Sequence, residues 1–235
     1  MNLPDLPTVL LDLRSRLAAR ATPERAARER AYLKSSLEHL GASQPVIRDE
    51  AKALDARLPK LEGPALLAVA HALHGTRIHE MRAVAIALLE RRRKSLSEAE
   101  LLELIEFARR SPGWAYIDWL ATGVLGDVVA RLPSERQAVH LRAWAADSDF
   151  WIRRVALLAP LERLRHEKGD FALWTTLAVP MLGEKEFFIR KAIGWVLREV
   201  SKKRPALVQG FVETYGPQMS GLTRREATKY LPPVT

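Results

Sequence analysis

The segment GWAYIDWL, Gly113 to Leu120, places a carboxylate four residues after a tryptophan inside an aromatic run. On a helix, positions i and i+4 share a face, so Trp114 and Asp118 present a ring and a carboxylate side by side. Both groups favour positive charge. The carboxylate attracts a cation and can take a proton from water, and the ring offers its π face. Spacing alone leaves another reading open, in which Asp118 caps a turn or pairs with an arginine and Trp114 fills core. Three observations weigh against it. A mid-helix aspartate has poor propensity and nothing to cap. The chain is basic, so an acid facing a polyanion is costly without a task. Tyr32, Trp195 and Arg154 also occupy equivalent helix positions elsewhere in the chain.

The elements that must position these residues are helices. Apolar residues recur at three- and four-residue spacing nearly throughout, with no convincing alternating β pattern. Helix starts are read at Thr22-Pro23, Ser43-Gln44-Pro45, Pro133-Ser134 and Ser97, and helix stops at Gly41, Gly75, Gly169 and Gly183. About a dozen helices with short loops follow, an all-α chain. They also repeat. DFWIRRVALL from Asp149 and EFFIRKAIGW from Glu186 share an acid, two aromatics, Ile, Arg, a second base and an apolar run, offset by 37 residues. HEMRAVAIAL from His79 fits the same register two repeat lengths earlier. A period in the high thirties, built of helix pairs, predicts an α-solenoid of HEAT-like repeats occupying residues 1–235 as a single domain. Ile152, Val155 and Ala156 in one copy, and Ile189, Ala192 and Ile193 in the next, should be buried. Arg153, Arg154, Arg190 and Lys191 lie beside that stripe and would line a concave basic face suited to a duplex backbone.

With 37 Lys and Arg against 28 Asp and Glu, the formal charge is +9, which favours a polyanionic partner, above all nucleic acid. The chain has no cysteine, which removes disulfides, thiol catalysis and cysteine-ligated zinc. No apolar run is long enough for a membrane span, and Asp5, Asp12 and Arg14 interrupt any signal-like core at the start. A soluble cytoplasmic protein with no membrane partner is expected. No Gly-rich phosphate loop, HExxH or set-up Ser nucleophile is present. His71, His74 and His79 could suggest a metal site, but without a matched acid on that face they read as surface or core histidines. Neither a metal nor a cofactor is expected. Trp144 and Trp174 read as core, and Arg91 to Lys94 as a helix C-terminus.

Longer stretches point further. EKEFFIRKAIGWVLREVSKKRP, Glu184 to Pro205, resembles the signature of the AlkD-type DNA glycosylases, the HEAT-like-repeat family of alkylation repair. SPGWAYID, Ser111 to Asp118, resembles the family segment with the catalytic Trp and Asp, and LGDVVARLP follows it. DSDFWIRRVALL resembles the segment with the active-site arginine, AYLKSSLEHLGASQP the N-terminal segment, and LTRREATKYL the closing helix. The likeness runs in order from about Arg28 to Leu231.

This resemblance implies that Asp118 is the catalytic carboxylate, that Trp114 and Trp195 contact the deoxyribose, that Arg154 holds the phosphate backbone and that Tyr32 sits at the cleft rim. One departure is Gly113, where the family carries a second aromatic. The implied reaction is hydrolysis of the N-glycosidic bond of N3- and N7-alkylpurines such as 3-methyladenine and 7-methylguanine in double-stranded DNA, leaving an abasic site for base excision repair. A purine alkylated at N3 or N7 is already cationic and leaves readily, passing its charge to an oxocarbenium-like sugar that a carboxylate stabilises. No second acid is evident, so cationic lesions are favoured over neutral purines. The family likeness further implies catalysis on the sugar without enclosing a flipped base, by a monomer. The alternative is a non-catalytic HEAT-like protein that binds DNA structure, for which the Asp118 carboxylate would have no use.

Overall fold

A computed structural model describes residues 5–58, 61 and 63–231, and its contacts divide the chain into a first unit ending at Leu120 and a second beginning at Ala121. The described residues form no strand. Backbone pairing of the β type is limited to an isolated bridge between Glu38 and Ile78.

The first unit contains α1 (Leu6–Ala19), α2 (Pro23–Leu33), α3 (Gln44–Arg57), α4 (Pro64–His74), α5 (His79–Arg91), α6 (Leu101–Arg109) and α7 (Trp114–Leu120). Its centre is α5, in which every residue from His79 to Leu89 except Arg82 is buried. Helices α3, α4 and α7 pack around it, and α1 packs on α3. The Ala-rich helix α4 lies against α5. A buried charge fastens the loop after α2 to this centre. The Glu80 carboxylate is inaccessible and accepts hydrogen bonds from the backbone N–H groups of Leu40 (3.0 Å), Gly41 (2.6 Å) and Ala42 (3.3 Å). Three backbone donors supply what a desolvated carboxylate needs.

The second unit opens with a π-helical turn at Ala121–Leu125. It continues with α8 (Gly126–Ala130), α9 (Ser134–Ala145), α10 (Phe150–Leu158), α11 (Leu161–Arg165), α12 (Phe171–Ala178), α13 (Phe187–Ser201), α14 (Pro205–Tyr215) and α15 (Gly221–Ala227). Helices α9 and α13 flank α10, and α14 and α15 pack on α13. Ile152, Val155, Ala156, Ile189, Ala192 and Ile193 are all buried, as the repeat register requires. Trp144 and Trp174 are core, and the Trp174 indole N–H donates to the Leu157 carbonyl at 3.1 Å. The approach of α15 to α13 depends on Gly194, where an added Cβ would lie 2.6 Å from the Cβ of Glu226.

The three repeat copies begin α5, α10 and α13, and they share more than an apolar stripe. Arg82 donates to the Thr76 carbonyl (2.6 Å), Arg153 to that of Asp147 (2.8 Å) and Arg190 to that of Glu184 (2.8 Å). In every case the acceptor lies six residues earlier, so the arginine at this register position folds back and clamps the loop leading into its helix. Polar pairs between neighbouring repeats also span about one period. His79 and Tyr116 are 37 residues apart, Arg92 and Asp55 37, Lys191 and Glu226 35, and Arg48 and Glu90 42.

Some helix ends differ from their sequence reading. Thr22 caps α2 as expected, accepting from the Arg25 N–H, and Gly75 ends α4. Ser134 is the first residue of α9 with Pro133 before it, so the helix begins one residue earlier than a serine cap would place it. Ser97 forms a capping box with Glu100, but on a 3-10 turn that leads into α6. Gly41 ends no helix. Helix α2 stops at Leu33, and Gly41 lies in the loop held by Glu80, with φ +96° and no room for a Cβ beside the Thr22 carbonyl.

Candidate functional site

The sequence-predicted residues fall in both units. Trp114, Asp118 and Tyr32 belong to the first, and Arg154, Trp195, Arg153, Arg190 and Lys191 to the second.

In the first unit, α7 is short and pinned from below. Ile117 and Leu120 are fully buried, and the Tyr116 hydroxyl lies 2.5 Å from Nδ1 of His79 on α5. Its entry is fixed by Ser111, whose hydroxyl donates to the Phe107 carbonyl (3.0 Å) and contacts Nε2 of His74 (3.1 Å). Gly113 then turns the chain with φ +120°, and a Cβ there would meet nothing within 4 Å. Glycine is favoured here by backbone conformation, not by crowding. With the underside held, Trp114 and Asp118 are left half-buried on the same face.

Tyr32, in the last turn of α2 and 73% exposed, meets Trp114 edge to face, with ring centroids 5.7 Å apart at 87°. The loop that follows Tyr32 is the one Glu80 holds, so α5 positions both sides of this aromatic corner. Trp119 lies about 140° around the helix from Trp114. There it packs under the Arg48 guanidinium, 4.7 Å from the ring centroid, which assigns it to scaffold.

In the second unit, Arg154 is only 3% exposed. One Nη of its guanidinium donates to the Phe188 carbonyl at the start of α13, and its charge lies 5.8 Å from the Phe188 ring. Phe188 belongs to an aromatic cluster with Trp151 (4.7 Å) and Phe150 (6.4 Å), and Phe187 beside it is 54% exposed. Trp195 lies two turns further along α13 and is half-buried. The other three cations are committed to internal partners. Arg153 makes a two-pronged pair with Glu184 at 2.9 and 3.0 Å, and Arg190 clamps its loop. Lys191 and Arg198 share the carboxylate of Glu226, and the Lys191 hydrogen bond holds that carboxyl below its ordinary range.

The histidines His71, His74 and His79 do not converge. His71 pairs with Glu103 at 2.7 Å, while His74 and His79 face Ser111 and Tyr116. Burial pulls the His79 imidazole down to about 4 and that of His74 to about 3, and it raises the Tyr116 hydroxyl above its ordinary value. His79 is read from sequence as a surface or core histidine and is buried, but its support of Tyr116, and the support roles of Glu80 and Phe188, are not read there. The clue for the His79–Tyr116 pair was its separation of one repeat, visible only when repeats are aligned with one another.

These observations define an all-α, helical-repeat protein with an aromatic–carboxylate corner. The chain matches the family model described as DNA alkylation repair enzyme over residues 13–231, and it belongs to that family. Among solved structures it is similar to a predicted DNA alkylation repair enzyme from Enterococcus faecalis, at 27% identity and TM-score 0.77, covering 92% of this chain and 98% of that one. AlkD2 from Streptococcus mutans shares the fold at 15% identity and TM-score 0.68, with 97% and 99% covered. The Pseudomonas fluorescens alkylpurine DNA glycosylase AlkC, bound to DNA containing an abasic site analogue, does so at 16% identity and TM-score 0.51, with 97% and 65% covered. No curated protein sequence matches the chain.

Proposed function

We propose that this protein is a monofunctional DNA glycosylase that releases cationic N3- and N7-alkylpurines from double-stranded DNA and leaves an abasic site. The observation that carries this reading is the corner where Tyr32 meets Trp114 edge to face, on the same face of α7 as Asp118 and inside the family-matched segment. In this reading Asp118 stabilises the oxocarbenium-like sugar and orients the attacking water. Trp114 and Trp195 offer π faces to the electron-poor deoxyribose, for about 0.5–2 kcal/mol each. Tyr32 borders the cleft. The base needs no enclosing pocket, because its own charge makes it a leaving group.

Arg154 is given the phosphate nearest the lesion. Its bond to the Phe188 carbonyl and its burial fix the guanidinium in advance. Arg153, Arg190 and Lys191 contribute charge along the backbone, Arg153 and Lys191 by sharing with Glu184 and Glu226. Both units act as one domain and the protein works as a monomer in the cytoplasm. Among the described residues no helix is long and apolar enough to cross a membrane. Incubation with a duplex carrying a single N7-methylguanine tests the reading. Free base and an alkali-labile abasic site, formed without strand cleavage, are expected. Tight duplex binding with no base released would leave a DNA-structure binder instead.

A further inference from the structure

Behind the aromatic corner, three side chains from different elements of the first unit converge. Glu29 comes from α2, His39 from the loop after it and His79 from the first turn of α5, and one ligating atom of each lies within 4.8 Å of the others. We infer that Glu29, His39 and His79 form a binding site for a divalent transition ion of the zinc type.

The donor set is two imidazoles and one carboxylate, which suits zinc and its first-row neighbours and discriminates against magnesium and calcium. His39 is the telling member. Both its ring nitrogens are buried and neither finds a hydrogen-bond partner, whereas the buried His74 and His79 are each paired. An imidazole so placed loses solvation at both nitrogens and gains nothing in exchange. Its ring stacks on His79 at 4.4 Å and 8°, an arrangement that two protonated rings would oppose. The Nδ1 of His79 is occupied by Tyr116, which leaves Nε2 for the ion and supplies the outer hydrogen bond typical of metal-bound histidine. Glu80, though adjacent, is no ligand, since its carboxylate is taken by three backbone amides. Glu29 pairs with Arg25 at 3.1 Å on a half-exposed surface, a pairing of little worth that an ion would replace.

Donors around a tetrahedral zinc with 2.0–2.2 Å bonds sit roughly 3.5 Å apart, so the trio must close by about 1 Å. His39 lies on a loop, and the movement would turn its ring out of the stack on His79. Sequence spacing had directed attention to His71, His74 and His79, and only His79 is common to the two sets. The location gives the ion a structural consequence. Glu29 precedes Tyr32 by one turn on α2, and His79 holds Tyr116 on α7. An ion would therefore tie the helix of Tyr32 to the helix that carries Trp114 and Asp118.

The test uses the full chain, stripped with a chelator and titrated with zinc by calorimetry and with cobalt by its ligand-field absorption. Binding of one equivalent, a raised Tm with zinc and none with magnesium are expected. His39→Ala and Glu29→Gln should each weaken zinc binding by more than about tenfold and abolish the Tm rise. His71→Ala and His166→Ala, which remove the surface His–Glu pairs with Glu103 and Glu162, should change neither. Circular dichroism confirms that each variant is folded, and Glu29→Gln, the mildest change, carries the test alone if His39→Ala is not. Failure to bind one equivalent, wild-type zinc affinity in both trio variants, or loss shared with the surface-pair variants would overturn the assignment. The readouts do not involve base release, so the site stands or falls apart from the glycosylase reading.

Discussion

At the scale of single residues, the reading rests on unequal roles along α7. Trp114 and Asp118 are half-buried and are the residues proposed for chemistry, Tyr116, Ile117 and Leu120 hold the helix down, and Trp119 packs against Arg48. Trp114→Ala should lower base release by about tenfold, the equivalent of losing one aromatic face from a cationic transition state, while the fold survives. A second prediction concerns acid. His74 and His79 are buried neutral, with proton affinities pulled well below that of a free imidazole. The groups facing them are Arg82, His71 and Arg110 for His74, and His39 and Glu80 for His79. Because the unfolded chain binds protons that the folded chain refuses, stability falls as pH drops from the unfolded value of 6.5 towards about 4. The slope approaches about 1.4 kcal/mol per pH unit for each histidine. Thermal melts between pH 7 and pH 4.5 should show it, and His74→Leu should flatten it while Ser111 keeps its bond to the Phe107 carbonyl. An unchanged slope would mean that His74 titrates normally. The aromatic–acid pairing was legible at this scale because i and i+4 spacing is local. The His79–Tyr116 support was not, because its partners are remote in sequence and meet only through stacking of repeats.

At the scale of elements, the recurring arginine is the instructive case. A basic residue beside an apolar stripe reads from sequence as a surface cation, which is the ground for expecting Arg153 and Arg190 on phosphates. In the fold they repeat what Arg82 does in a different repeat, closing the loop before their helix on a carbonyl six residues back. Any phosphate contact must share a guanidinium that already has structural work. Arg153→Met, which keeps the stem but removes the clamp and leaves Glu184 without its two-pronged partner, should destabilise the protein by about 1–3 kcal/mol in urea unfolding. A variant as stable as wild type would return Arg153 to the surface. Gly194→Ala probes the packing of the closing helix. Its new Cβ meets Glu226 at 2.6 Å, so α15 must shift, at a cost of about 1–3 kcal/mol. The helices and their repeat were plain in the sequence, since three- and four-residue periodicity and a 37-residue offset need no tertiary information. Helix ends were read less well. Gly41 looked like a stop but serves a loop whose shape is dictated by a buried glutamate 39 residues away.

At the scale of the whole molecule, an excess of nine positive charges implies that duplex affinity comes largely from counterion release. Affinity for undamaged duplex should fall steeply and log-linearly as salt is raised from 50 to 200 mM, by about 10³-fold or more if six or more phosphates are engaged. A flat salt response would assign the charge to solubility. The measurement that bears most directly on the central claim compares wild type with Asp118→Asn on a duplex containing one N7-methylguanine, scoring base release under single-turnover conditions beside duplex affinity. Release should fall by about 10²–10⁴-fold with affinity nearly unchanged, because the amide keeps the shape of the carboxylate but not its charge. An Asn variant that releases the base as fast as wild type would contradict the account.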